Sequence, residues 1–168
     1  HPAFGALLAL QLQQIWHILG RPAPFTVVEM GAGSGLLARD VVSYSQHLVP
    51  HFREALSYVC LERYPVTGTE KEMAAQRLVA EGVPLRDVVG CFVSNELLDS
   101  FPVHLLEGPS SALREVYITT ARGGFVEVLD SLSTPQLQAR LEGLGITLPQ
   151  GYRCEVCLAM DGWMQEQE

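Results

Sequence analysis

The sequence predicts an α/β fold: a doubly wound parallel sheet with helices on both faces, carrying an inserted antiparallel β-hairpin. Two observations carry that expectation. Short β-branched apolar runs alternate with segments of helical apolar spacing, the pattern of successive βαβ units. A glycine-rich turn, Gly31-Ala32-Gly33-Ser34-Gly35, joins the first such run to the helix that follows it, as at a ligand-binding strand-to-helix crossing.

Each element follows from local pattern. Phe4, Leu7, Leu8, Leu10, Leu12, Ile15, Trp16 and Leu19 recur at helical spacing, and Gly20, Pro22 and Pro24 then stop the helix predicted over 4–19. Phe25–Met30 is a nearly continuous apolar run and reads as a buried strand. Helical spacing resumes over Leu36–Val49, and Pro50 is expected to end it. Leu56–Leu61 reads as a second strand, Glu70–Glu81 as a helix closed by Gly82, and Val88–Ser94 as a third strand. Beyond Pro102 the pattern changes. Leu113–Thr119 and Phe125–Leu129 flank Ala121-Arg122-Gly123-Gly124 and read as a hairpin. Thr134-Pro135 opens a helix to about Leu144, with Thr as cap and Pro at its first position. The stretch 152–168 reads as a short strand or turn running into a helix. We take 1–168 as a single domain: an N-terminal helix (4–19), a βαβ core (25–103), a hairpin and helix insertion (104–146) and a C-terminal segment (147–168). Three parallel strands plus a hairpin are few for such a sheet, so the intact protein is expected to continue past Glu168; the start at His1 without Met reads as a piece of a longer chain or a processed product.

Composition narrows the function classes. At 168 residues the chain suits about one domain. With 48% hydrophobic and 18% charged residues it is neither a disordered nor a coiled-coil sequence. The net charge is −8 and the 11 basic residues are scattered singly, which excludes a basic nucleic-acid footprint. Apolar stretches such as Ala6–Leu10 are far too short to span a bilayer, so no membrane partner is expected. No signal-peptide pattern opens the chain, and 4 cysteines form no disulfide framework, so a cytoplasmic location is expected.

The chemistry concentrates at three predicted strand ends. In Val-Val-Glu29-Met-Gly31-Ala32-Gly33-Ser-Gly35, alternate glycines let the backbone turn and a ligand approach closely. A dinucleotide fingerprint would place Gly or Ala where Leu36 stands, which marks down a nicotinamide oxidoreductase. Glu62 ends the second strand, where a carboxylate can accept both hydroxyls of a ribose; a solvated strand-end Glu is the plainer alternative. Asn95, Glu96 and Asp99 follow the third strand. In a helical turn Glu96 and Asp99 would face the same way and could grip a cationic group. Equally, Asp99 or Ser100 would cap a turn while Asn95 satisfies backbone groups.

The combination of Val-Val-Glu-Met-Gly-Ala-Gly-Ser-Gly, Tyr-Val-Cys-Leu-Glu and Ser-Asn-Glu-Leu-Leu-Asp-Ser-Phe-Pro-Val resembles the MidA-type (DUF185) family of S-adenosylmethionine-dependent methyltransferases. Its mitochondrial members are complex I assembly factors that act as protein arginine methyltransferases. The resemblance implies a Rossmann-like class I methyltransferase sheet and S-adenosylmethionine as cofactor. It implies that Glu29, Gly31, Ala32, Gly33, Gly35, Glu62, Asp87 and Asn95 bind the cofactor, Asp87 as the remaining adenine-reading acid. Asn95, Glu96 and Asp99 would be catalytic, with a protein side chain, arginine favoured, as acceptor. The chain departs from the family at Tyr64-Pro65 and in the compressed stretch 82–89. The alternative is a catalytically silent or truncated copy of the fold acting as an interaction or assembly module.

Other constellations carry less. Cys154 and Cys157 form a Cys-x-x-Cys pair without a second ligand pair, so no metal is expected. Pro50 breaks the helix that would align His47 with His51. His104 follows the acidic block closely, and a solvent-facing position is expected for it.

Overall fold

The computed structural model of the chain describes residues 1–65, 75–109 and 112–165. Its contacts divide into two compact units, one formed by His1–Leu97 and one beginning at Leu98.

The first unit runs α1 (Pro2–Ile18), β1 (Phe25–Met30), α2 (Leu36–Ser45), α3 (Pro50–Ala55), β2 (Leu56–Glu62), β3 (Gln76–Val79) and β4 (Gly90–Ser94). The four strands form a parallel sheet in the order β3-β2-β1-β4. Val27 faces Tyr58 on one side and Cys91 on the other, and Cys60 lies between Glu29 and Arg77. The chain winds outward from β1 through β2 to β3, then returns to the other flank of β1. That reversal leaves a crevice beyond the carboxyl ends of β1 and β4, the position where open α/β sheets bind ligands.

One face of this sheet supplies the core. Phe25, Val27, Tyr58 and Cys60 pack with Ala9, Leu12 and Trp16 of α1, Ala38 and Val41 of α2, and Phe52 of α3. Helices α1 and α2 meet at Gly5, where a Cβ would lie 2.5 Å from the Asp40 Cβ, so only glycine admits this approach. The Trp16 indole N–H donates to the Pro22 carbonyl at 2.9 Å, tying the end of α1 to the turn that feeds β1.

Three expectations for this unit are corrected. The helix expected over 70–81 is not formed where the structure describes it: residues 76–79 are a strand, hydrogen-bonded to β2, and 70–74 lie outside the described residues. Ladder pairing overrides the helical preference of Ala, Gln, Arg and Leu there. The helix expected to reach Val49 stops at Ser45, tightening through i→i+3 bonds from His47 to Tyr44 and from Leu48 to Ser45. Pro50 does not merely end that helix; it stands in the first turn of α3, where its missing N–H costs nothing.

The second unit holds a 3₁₀ turn (Leu98–Ser100), β5 (His104–Glu107), β6 (Arg114–Ala121), β7 (Gly124–Asp130), α4 (Gln136–Gly143), β8 (Arg153–Val156) and α5 (Ala159–Gln165). Strands β6 and β7 are the expected hairpin, turning through Arg122 and Gly123, both with positive φ. They are half of a four-stranded antiparallel sheet ordered β7-β6-β5-β8. Strand β5 escapes pattern reading because four residues carry too little alternation. Arg153 fastens the sheet, its guanidinium 2.8 Å from both Glu107 and Glu127. Leu106, Val156, Leu137 and Leu141 form this unit's core, where α4 packs on the sheet. Among the described residues no helix is long and apolar enough to cross a membrane.

Candidate cofactor site

The glycine loop leaves β1 with Gly31, Gly33 and Gly35 all in the left-handed region, a conformation that side chains disfavour. The Gly31 amide donates to Leu61 O and the Gly35 amide to Ala32 O, both at 2.9 Å, so the loop folds on itself and on the end of β2. The Gly33 amide donates to the carboxylate of Glu62. A Cβ on Gly31 would meet the Leu97 side chain at 2.7 Å, so the segment after β4 closes directly on the loop. At Gly33 a Cβ would meet nothing within 4 Å, and the loop is open there to a ligand.

Behind the loop lies a polar row in the sheet. Glu29 is buried, and the Tyr58 hydroxyl donates to its carboxylate at 3.0 Å. Burial raises the Glu29 carboxyl above its ordinary range, against the Tyr58 hydrogen bond and an amide contribution from Ala38 at the start of α2. Burial also pushes the Tyr58 hydroxyl upward, and the Cys60 thiol to about 11, which leaves that thiol protonated and inert. Arg77 on β3 completes the row, donating from Nη1 and Nη2 to Gly33 O at 3.3 Å and from Nη2 to Ser34 O at 2.8 Å.

The structure therefore brings Glu29, Gly31, Ala32, Gly33, Gly35 and Glu62 together, and Asn95 and Glu96 follow the carboxyl end of β4 beside them. It does not bring Asp87 there. Asp87 precedes β4, and the Thr26 amide bonds Val89 O at 3.0 Å beside the start of β1, at the opposite edge of the sheet. The acid that the topology delivers is Glu81, just after β3, whose end is fixed by the Ala80 amide on Glu62 O at 2.9 Å. Sequence reading missed it by placing 70–81 in a helix, although an acid directly after Leu78-Val79-Ala80 was the available signal. Arg77 was missed for the same reason.

Glu96 and Asp99 do not share a helical turn. Glu96 has φ +55, and the 3₁₀ turn begins only at Leu98. A left-handed non-glycine residue costs about 1–2 kcal/mol and collects at functional sites. Asp99, in the second unit, lines a cavity of about 690 Å3 with Phe101, Arg140, Cys154 and Glu155. His104 is not solvent-facing as expected: its Nδ1 lies 2.7 Å from the buried Glu115 carboxylate, across the β5–β6 pair. Cys154 and Cys157 are free thiols. Among the described residues no group of three or more His, Cys, Asp or Glu is placed to hold a metal.

A parallel β3-β2-β1-β4 sheet, with a glycine loop after β1 and a carboxylate ending β2, defines a Rossmann-like domain of the class I methyltransferase kind. The chain belongs to a family of S-adenosylmethionine-dependent methyltransferases: residues 7–168 match the family described as "Putative S-adenosyl-L-methionine-dependent methyltransferase". A protein arginine methyltransferase NDUFAF7 homolog, mitochondrial, from Drosophila melanogaster is 28% identical over 162 residues, covering 79% of this chain and 37% of its own length. A COG1565 superfamily structure from Burkholderia thailandensis bound to S-adenosyl-homocysteine superposes with a TM-score of 0.72 at 24% identity, covering 99% of this chain and 43% of that one. A native structure of a COG1565 protein from the same organism gives 0.72 at 25% identity, covering 98% and 44%. The chain thus spans about two fifths of the length of these relatives.

The residues present fit the family's cofactor, S-adenosylmethionine. The loop is open above Gly33, and a strand-end carboxylate stands at Glu62 with lone pairs beyond the one the Gly33 amide takes.

Proposed function

We propose that the chain carries out S-adenosylmethionine-dependent methyl transfer to a protein side chain, with arginine as the favoured acceptor. The observation that carries the cofactor half is the Gly33–Glu62 contact, which sets a glycine cradle and a ribose-type acceptor at the carboxyl edge of the parallel sheet. The acceptor half rests on the likeness to a relative named as a protein arginine methyltransferase.

In this reading Gly31, Ala32, Gly33 and Gly35 hold the methionine part of the cofactor, Glu62 the ribose hydroxyls, and Glu81 the adenine edge. Bound S-adenosylmethionine supplies a methyl group already activated by its sulfonium, so the protein's task is to position and deprotonate the acceptor. Asn95 and Glu96, at the end of β4, hold that acceptor beside the cradle; Asp99 is assigned to the reaction by the family block alone. Replacing Glu96 and Asp99 by their amides is expected to abolish transfer while cofactor binding stays within about threefold; unchanged transfer removes both from the reaction.

The experiment for the cofactor is calorimetric titration of the 168-residue chain with S-adenosyl-homocysteine, with NADH and Gly33→Val as controls. Micromolar binding lost in the variant supports the reading. A folded chain that binds neither ligand favours the second reading, a silent module of the same fold.

A further inference from the structure

We infer that Arg77 is the positioning residue of the glycine loop, a strut from β3 that fixes which of the loop's amides face the cofactor. This rests on the cofactor reading above and adds a residue to it.

The geometry is specific. Gly33 donates its amide to Glu62, while its carbonyl accepts from both Nη atoms of Arg77 and the next carbonyl, Ser34 O, accepts from Nη2. A trans peptide is planar, with its N–H opposite its C=O. Pinning Gly33 O toward β3 therefore turns the Ser34 N–H the other way, off the guanidinium side. Three glycines with positive φ leave this loop a wide choice of peptide orientations, and two carbonyls held on one planar fork reduce it to one.

Arg77 is itself held. It faces Cys60 in the ladder, two strands from Glu29, and its Nε is buried with no hydrogen-bond partner among the described residues. A buried unsatisfied donor costs free energy. A side chain retained there at that cost is retained for its other contacts, and those go to the loop. Lysine cannot replace it, because a single ammonium lacks the planar fork that spans two successive carbonyls.

The test uses the 168-residue chain with Arg77→Met and Arg77→Lys. Two quantities are read: S-adenosyl-homocysteine affinity by calorimetry, and hydrogen exchange of the amides of residues 33–35 in the ligand-free protein. In both variants we expect affinity to fall about tenfold or more and those amides to exchange faster, while exchange in α1 is unchanged. In Arg77→Ala, which leaves the side-chain space vacant, millimolar ethylguanidinium is expected to restore much of the affinity, and it is expected to restore none of that of Gly33→Val. Wild-type affinity in a folded variant, or unchanged exchange at 33–35, overturns the assignment. Should Arg77→Met fail to fold, Arg77→Lys carries both readouts. Should the wild-type chain bind no S-adenosyl-homocysteine, the cofactor reading fails, and the exchange measurement still decides whether Arg77 fixes the loop.

Discussion

The Gly33 amide and the Glu62 carboxylate, 29 residues apart in sequence, are joined by a hydrogen bond that ties the loop after β1 to the end of β2. A carboxylate has lone pairs on both oxygens, so one group can brace the loop and still accept ligand hydroxyls. Glu62→Gln keeps the size but loses the charge, and charge-assisted bonds are worth roughly 1.5–3 kcal/mol against about 1 for neutral ones. We expect S-adenosyl-homocysteine affinity to fall by about ten- to a hundredfold in Glu62→Gln, with the thermal midpoint little changed. Calorimetry on the two proteins decides it, and equal affinities would remove Glu62 from the ligand.

How much of this was legible in the sequence depends on whether the signal was local. Phe25–Met30 and the loop after it were readable because an apolar β-branched run and alternate glycines declare themselves within a few residues. The hairpin turn at Arg122-Gly123 was readable for the same reason. Strand β3 was not, because Gln76 and Arg77 carry helical preference and become strand only by pairing with Val59 and Cys60. That one misreading hid both Arg77 and Glu81 and left Asp87 as the adenine candidate. His104 could not be placed either, since its partner Glu115 comes from the next strand of a sheet whose first strand has four residues.

At Gly5 two opposing effects can be weighed. Replacing a helical glycine by alanine gains about 0.5–1 kcal/mol of backbone entropy. Here the new Cβ would stand 2.5 Å from the Asp40 Cβ, an atom fixed to the backbone of α2 that cannot swing away. Overpacking of this kind costs about 1–3 kcal/mol. We expect Gly5→Ala to be destabilised by about 1–2 kcal/mol in urea unfolding; a stabilised variant would mean that α1 and α2 are not held this close.

Tyr58 and Glu29 make a second stability test. Burial raises the Glu29 carboxyl in the folded protein above its ordinary value of 4.5, so this group's contribution to stability is fully present below that pH and is lost as pH rises through the raised value. Tyr58→Phe removes the hydroxyl that favours the ionised form. It should cost about 1–3 kcal/mol at pH values above the raised one and less below it, where the carboxyl is neutral. Glu29→Gln should flatten that pH dependence. Urea titrations at several pH values separate these outcomes, and a Tyr58→Phe cost that does not vary with pH would count against the pairing.

Glu115 behaves in the opposite sense. Burial alone would raise its carboxyl, but hydrogen bonds from His104, Ser133 and Tyr117 outweigh that and hold it at about 2, well below its ordinary 4.5. The contacts are short: 2.7 Å to His104 Nδ1, 2.6 Å from the Ser133 amide and 3.1 Å from the Tyr117 hydroxyl. A depressed folded value means that the stabilisation is complete above about 4.5 and is lost as pH falls from there toward about 2. The second unit should therefore lose stability through that acid window, and Glu115→Gln should remove the dependence by being already weakened at pH 6. Hydrogen exchange of β5 and β6 amides, followed from pH 6 downward in both proteins, reads this unit by itself. Equal protection in the two proteins at pH 6 would show that the carboxylate does not hold the sheet, and that burial of Leu106 against Leu137 and Leu141 suffices without it.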